Sequence, residues 1–109
     1  GDDALALAMM AAGASGVISV TSNVLPGRVC EVTRLLCRGE LAAARAAHFA
    51  LLPLHGLMFV EPNPVPCKQA LDLLGRARPD VRLPLVKAGE STRARLAGLL
   101  SEMGLAVQP

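Results

Sequence analysis

Tryptophan and tyrosine are missing from this 109-residue chain, and Phe49 and Phe59 are its only aromatic hydrocarbon rings. Proteins that hold single-stranded nucleic acid stack bases on such rings, so that class of function is disfavoured. The charge balance agrees, because 11 basic and 9 acidic residues leave a formal net charge of +2 with no run of one sign to meet a phosphate backbone. Cysteine is scarce and odd in number: Cys30, Cys37 and Cys67 form no CxxC pair, which argues against a disulfide framework and a zinc site. A reducing cytoplasm is the expected setting. Charge itself is absent from Ala4 to Pro26. Length alone would let such a run span a bilayer. Against that, Asp2 and Asp3 stand where a signal peptide is basic, Gly13-Ala14-Ser15-Gly16 interrupts the run, and its second half is β-branched. Neither a membrane nor a nucleic acid is an expected partner.

What the chain does have is apolar surface, 52% of its residues. A domain of this size buries only about two-thirds of what its unfolded chain exposes, so the surplus predicts packing against further protein. The opening Gly1-Asp2-Asp3 lacks an initiator methionine, and the chain is expected to be a segment of something larger or obligately associated.

The patterning predicts a helix to about Ala12 capped by Asp2 or Asp3, with Gly13 ending it. Val17-Ile18-Ser19-Val20-Thr21 then reads as a strand covered on both faces, as in a parallel sheet. Pro26 opens a second helix with Val29, Val32, Leu35 and Leu36 on one face, stopped by Gly39. A third starts at Glu40 and carries Leu41, Ala44, His48, Leu51, Leu52, His55 and Phe59 as one buried stripe, with a kink expected at Pro53. Asn63 is expected to cap a fourth helix with Pro64 and Pro66 in its first turn and Gly75 at its end. An extended connection from Arg76 to Ala88 leads to a last helix, capped by Ser91 and closed by Gly104, with Leu96, Leu99, Leu100 and Met103 on one face. One strand makes no sheet. The expected fold is therefore α/β: the C-terminal portion of a TIM (β/α)8 barrel, contributing its last helix–strand unit over residues 1–38, followed by a helical domain over 39–109. The segment itself is mostly α.

Five motifs in order carry a resemblance: Gly1-Asp2-Asp3, then Gly16-Val17-Ile18-Ser19-Val20-Thr21-Ser22-Asn23-Val24, then Leu52-Pro53-Leu54-His55, then Phe59-Val60-Glu61-Pro62-Asn63-Pro64-Val65-Pro66-Cys67-Lys68, then Arg82-Leu83-Pro84-Leu85. Together they resemble the C-terminal part of the dihydrodipicolinate synthase family over essentially the whole chain. The resemblance implies a class I aldolase-type lyase that joins pyruvate to aspartate semialdehyde on the diaminopimelate route to lysine. It implies a Schiff base on a barrel lysine, a tyrosine–threonine hydroxyl relay, a carboxylate-binding arginine, no separate cofactor, and a homo-oligomer, dimer or tetramer. The nucleophile and relay lie on earlier strands of the family, so no catalytic residue is expected in this chain. Gly1 and Ile18 are the substrate-binding residues that the resemblance carries over, lining the pyruvate pocket through main chain and shape.

Other residues invite functional readings and receive blander ones. Lys68 sits in the first turns of a helix and reads as structural, whereas a nucleophilic lysine needs a desolvated pocket. Lys87 reads as solvated. His48 and His55 are separated by about 10 Å of helical rise, too far to chelate one ion, and read as core or interface histidines. Of Asp2 and Asp3, one reads as the cap and the other as lining the pocket. Departures from the family pattern are Gln69 after Lys68, where a large aromatic is common, and a longer, more basic Gly75-Arg76-Ala77-Arg78-Pro79. Competing readings are a sibling pyruvate-dependent lyase of the N-acetylneuraminate lyase or keto-deoxy-sugar aldolase type, and a non-catalytic truncated interaction module.

Overall fold

The computed structural model describes residues 1–109 and contains five α-helices, α1 (Ala6–Ala11), α2 (Pro26–Cys37), α3 (Leu41–Leu57), α4 (Val65–Leu73) and α5 (Glu90–Glu102), with 3₁₀ turns at Asp3–Leu5 and Thr21–Asn23. The chain divides into two compact units, Gly1–His55 and Gly56–Pro109.

The strand expected over Val17–Thr21 does not form, which corrects the α/β expectation: the chain by itself is all-helical. A strand exists only as part of a hydrogen-bonded ladder. Here the N–H groups of Val20 and Thr21 are taken by the Asp3 carboxylate, and the chain turns into 3₁₀ geometry at Thr21. Serine chemistry fixes that turn. The Ser22 N–H donates to Ser19 Oγ at 2.8 Å, and the Ser22 hydroxyl donates back to the Ser19 carbonyl at 2.9 Å.

In the first unit Asp2 is the cap, its Oδ1 accepting the Ala4 N–H at 3.0 Å. Pro26 stands at the start of α2 as expected, where its missing N–H costs nothing. Val29 and Val32 are buried on α2, with Leu35 and Leu36 half-buried beside them. On α3 the buried face holds Ala44, His48, Leu51, Leu54 and His55. Leu41 is 51% exposed and Leu52 36%, so the expected stripe is corrected at both. Leu41 lies in the first turn, where one end is uncovered, and Leu52 falls on the rim once the face rotates to include Leu54. Phe59, also placed in that stripe, lies beyond α3 and is exposed. The helix runs on through Pro53, which is itself exposed.

In the second unit Val65, Cys67, Ala70 and Leu73 of α4 pack with Leu96 and Leu100 of α5 as one small core. Leu99 and Met103 are half-buried at its edge. Two caps differ from expectation. Pro64, not Asn63, occupies the N-cap position of α4 with no side-chain cap, the Asn63-Pro64 peptide being cis, and Pro66 alone lies in the first turn. Helix α5 begins one residue before Ser91, because Gly89 enters it extended with its N–H bound to Glu61 Oε1 at 3.0 Å, so Ser91 is inside the helix. Caps depend on where the incoming chain is held, and here another segment holds it.

Helices α1, α2, α4 and α5 all close in the same way, on glycines with positive φ at Gly13, Gly39, Gly75 and Gly104. After α2, for example, the Gly39 N–H donates to the Leu36 carbonyl and the Glu40 N–H to Leu35, the paired bonds of a Schellman stop. No helix is long and apolar enough to cross a membrane.

Candidate functional site

The polar chemistry of the first unit converges on Asp3, which is 1% exposed. Its Oδ2 accepts two successive N–H groups, Val20 at 2.9 Å and Thr21 at 3.1 Å. A buried carboxylate is costly unless such donors meet it, and charge-assisted bonds of this kind are about twice as strong as neutral ones. The division of labour between the paired aspartates is thus Asp2 for the cap and Asp3 for the segment after Gly16.

Thr21 extends the network. Its hydroxyl lies 2.8 Å from His55 Nδ1, and both residues are buried on the inner side of α3. A hydroxyl donates and accepts, so it satisfies His55 in either tautomer. His48 Nε2 lies 3.1 Å from the Ala4 carbonyl, which only accepts, so that nitrogen carries a proton. No buried side-chain polar atom lacks a partner, in keeping with the reading of both histidines as satisfied core residues. Their ring centroids are 5.6 Å apart, which corrects the separation of about 10 Å expected from helical rise alone. No three His, Cys, Asp or Glu side chains are grouped so that they could hold a metal ion.

Burial pushes His55 below its ordinary pKa of 6.5, the Asp3 charge opposes that, and His48 reinforces it. The cavity bounded by Asp3, Val17, Val32, His48, Leu51 and His55 has about 10 Å³ of space, room for one water at most. This network holds backbone in place and does not admit an organic substrate. A shallow groove of about 310 Å³ beside Met10, Ala11, Leu36, Gly39 and Leu41 has no titratable side chain on its wall and so offers no acid–base chemistry.

Gly1 and Ile18, the substrate-binding residues inferred from the sequence, come together. The Gly1 nitrogen lies 3.4 Å from the Ile18 carbonyl oxygen, and both residues are exposed, Ile18 by 89%. A Cβ on Gly1 would come within 3.0 Å of the Met9 methyl, so side-chain size is limited there. Lys68 is half-exposed on α4, its ammonium donating to the Asp80 carbonyl. Lys87 is exposed and pairs with Asp80 Oδ1 at 3.0 Å, and Arg78 pairs with Oδ2 at 3.3 Å. The Lys87 ammonium, first through its hydrogen bond and then through its charge, holds the Asp80 carboxyl below its ordinary range. Sequence reasoning missed the bond between Thr21 and His55 and the two-pronged grip of Asp3. The one signal was that Asp3 is the last charge before a long uncharged run.

A model of the dihydrodipicolinate synthetase family matches residues 1–103. The 4-hydroxy-tetrahydrodipicolinate synthase of Sorangium cellulosum is 68% identical over 97 residues, covering 89% of this chain and 32% of the relative. That of Geobacter sulfurreducens is 42% identical over 105 residues, covering 96% and 36%. Among solved structures, the dihydrodipicolinate synthase of Aquifex aeolicus aligns with a TM-score of 0.95 at 39% identity, covering all of this chain and 37% of that one. The chloride-inhibited enzyme of Acinetobacter baumannii complexed with pyruvate aligns with a TM-score of 0.92 at 35% identity, covering 96% and 36%. The chain thus spans about a third of the length of the curated relatives it matches.

Proposed function

Because the chain belongs to the dihydrodipicolinate synthetase family, we propose that it forms the C-terminal segment of a 4-hydroxy-tetrahydrodipicolinate synthase acting on pyruvate and aspartate semialdehyde in the cytoplasm. In this reading residues 1–38 close the (β/α)8 barrel and 39–109 form the appended helical domain, a division by role that differs from the two compact units. The pyruvate carbonyl condenses with the amine of a lysine outside this segment and releases water. The resulting iminium withdraws electrons from the methyl carbon, which loses a proton and attacks the aldehyde of the second substrate. Gly1 and Ile18 supply main-chain polarity and shape at one edge of the pyruvate pocket, at the C-terminal ends of the last strands, where active sites of such barrels lie. The full protein works as a homo-oligomer.

The observation that carries this reading is the family match over residues 1–103, together with the 68% identity to a 4-hydroxy-tetrahydrodipicolinate synthase. The relative solved with pyruvate supports the choice of first substrate. Borohydride reduction in the presence of pyruvate tests it. The full-length protein is expected to gain one pyruvate-derived adduct on a lysine, whereas residues 1–109 alone gain none and turn over nothing. An unlabelled full-length protein refutes the function, and turnover by the isolated segment refutes the placement of the nucleophile.

A further inference from the structure

We propose that Asp3 is a positioning residue for pyruvate: its carboxylate fixes the main chain that carries Ile18, and the Thr21–His55 pair braces that grip from the side of α3. The inference rests on the reading of Gly1 and Ile18 as an edge of the pyruvate pocket.

Within this segment the main chain about Ile18 is held at two points. One is the approach of Gly1 at 3.4 Å. The other lies two residues on, where a single oxygen of Asp3 accepts the N–H groups of Val20 and Thr21. Two adjacent donors on one acceptor fix the orientation of the peptide between them, and with it the direction in which the preceding Ile18-Ser19 segment leaves. Asp3 follows Gly1 by two residues, so one short stretch carries both the pocket-lining glycine and the anchor for the segment opposite. Thr21 is fully buried, and its hydroxyl at 2.8 Å from His55 Nδ1 ties the anchored turn to α3. Catalysis is sensitive to small displacements of a group that binds substrate, which is why such an anchor would be read in substrate affinity.

The test uses the full-length protein with Asp3→Asn, which keeps size but replaces charge-assisted bonds by weaker neutral ones. The KM for pyruvate is expected to rise about tenfold, with kcat changed less than about threefold and the KM for aspartate semialdehyde within about twofold. A purely structural Asp3 would lower the melting temperature and the active fraction while leaving the pyruvate KM of the folded enzyme alone. Borohydride labelling separates the two readings. If wild-type protein is not labelled by pyruvate, the proposed function fails. If wild-type protein is labelled and the pyruvate KM of Asp3→Asn stays within about twofold, the positioning role is overturned while the function stands. Should Asp3→Asn not fold, Thr21→Val decides: a rise of about threefold in pyruvate KM, reversed in Thr21→Ser, sustains the proposal, and an unchanged KM overturns it.

Discussion

Replacing Thr21 by valine removes one hydroxyl and almost no volume, which makes it a direct measure of the buried bond to His55. Thr21 is fully buried, His55 is 4% exposed, and the two atoms are 2.8 Å apart. Valine leaves the Thr21 N–H on Asp3 untouched but strips His55 Nδ1 of its partner. The valine methyl occupies the hydroxyl's place, so no water can enter there to bond Nδ1. An orphaned buried polar atom costs about 1–3 kcal/mol, and the added methyl returns up to about 0.8 kcal/mol of apolar burial, so a net loss of about 1–2 kcal/mol is expected. The assay is denaturant unfolding of Thr21→Val, His55→Phe and the double variant as a thermodynamic cycle, with an expected coupling of about 1 kcal/mol. A Thr21→Val variant within about 0.3 kcal/mol of wild type, or no coupling in the cycle, would show that the bond does not contribute to the fold as argued.

The pH dependence follows from His55. Its folded pKa lies below the ordinary 6.5, so near and below that value the unfolded chain binds the extra proton first. Stability is therefore full above about pH 6.5 and falls as pH drops toward the folded value, and melting curves of His55→Gln should be flatter across that window than those of wild type. Leu96→Ala deletes a residue with no exposed surface between α4 and α5 and should cost about 2–5 kcal/mol in unfolding experiments, against little for the exposed Leu83. Lys87→Ala removes the principal cause of the lowered Asp80 pKa, so an NMR titration should find that carboxyl higher, with the melting temperature unmoved because the pair is exposed.

Helix existence was legible from periodicity and punctuation: Pro26 opens α2, and the glycines at 13, 39, 75 and 104 stop four helices as left-handed residues. These are local requirements, met by a residue's own φ and its missing N–H, so they survive without knowledge of neighbours. The strand was not decided locally. Val17–Thr21 has β-branched composition, but composition only favours extended backbone, and a ladder needs a second strand. The caps at Asn63 and Ser91 failed for a related reason, since Glu61 and the proline-rich entry determine where each chain enters its helix. Of the candidate site, Gly1 and Ile18 were named from ordered motifs, because a resemblance transfers identities position by position.

By itself, then, the sequence determined where helices begin and stop and which family the motifs resemble, because both are read from residues in order along the chain. Only the tertiary structure decided that Asp2 caps while Asp3 grips Val20 and Thr21, that His55 finds Thr21, and that Gly1 meets Ile18. Apart from the local Asp2 cap, those pairings join residues 17 to 34 apart in sequence, and a hydrogen-bond donor carries no local mark of the distant acceptor that burial will force upon it.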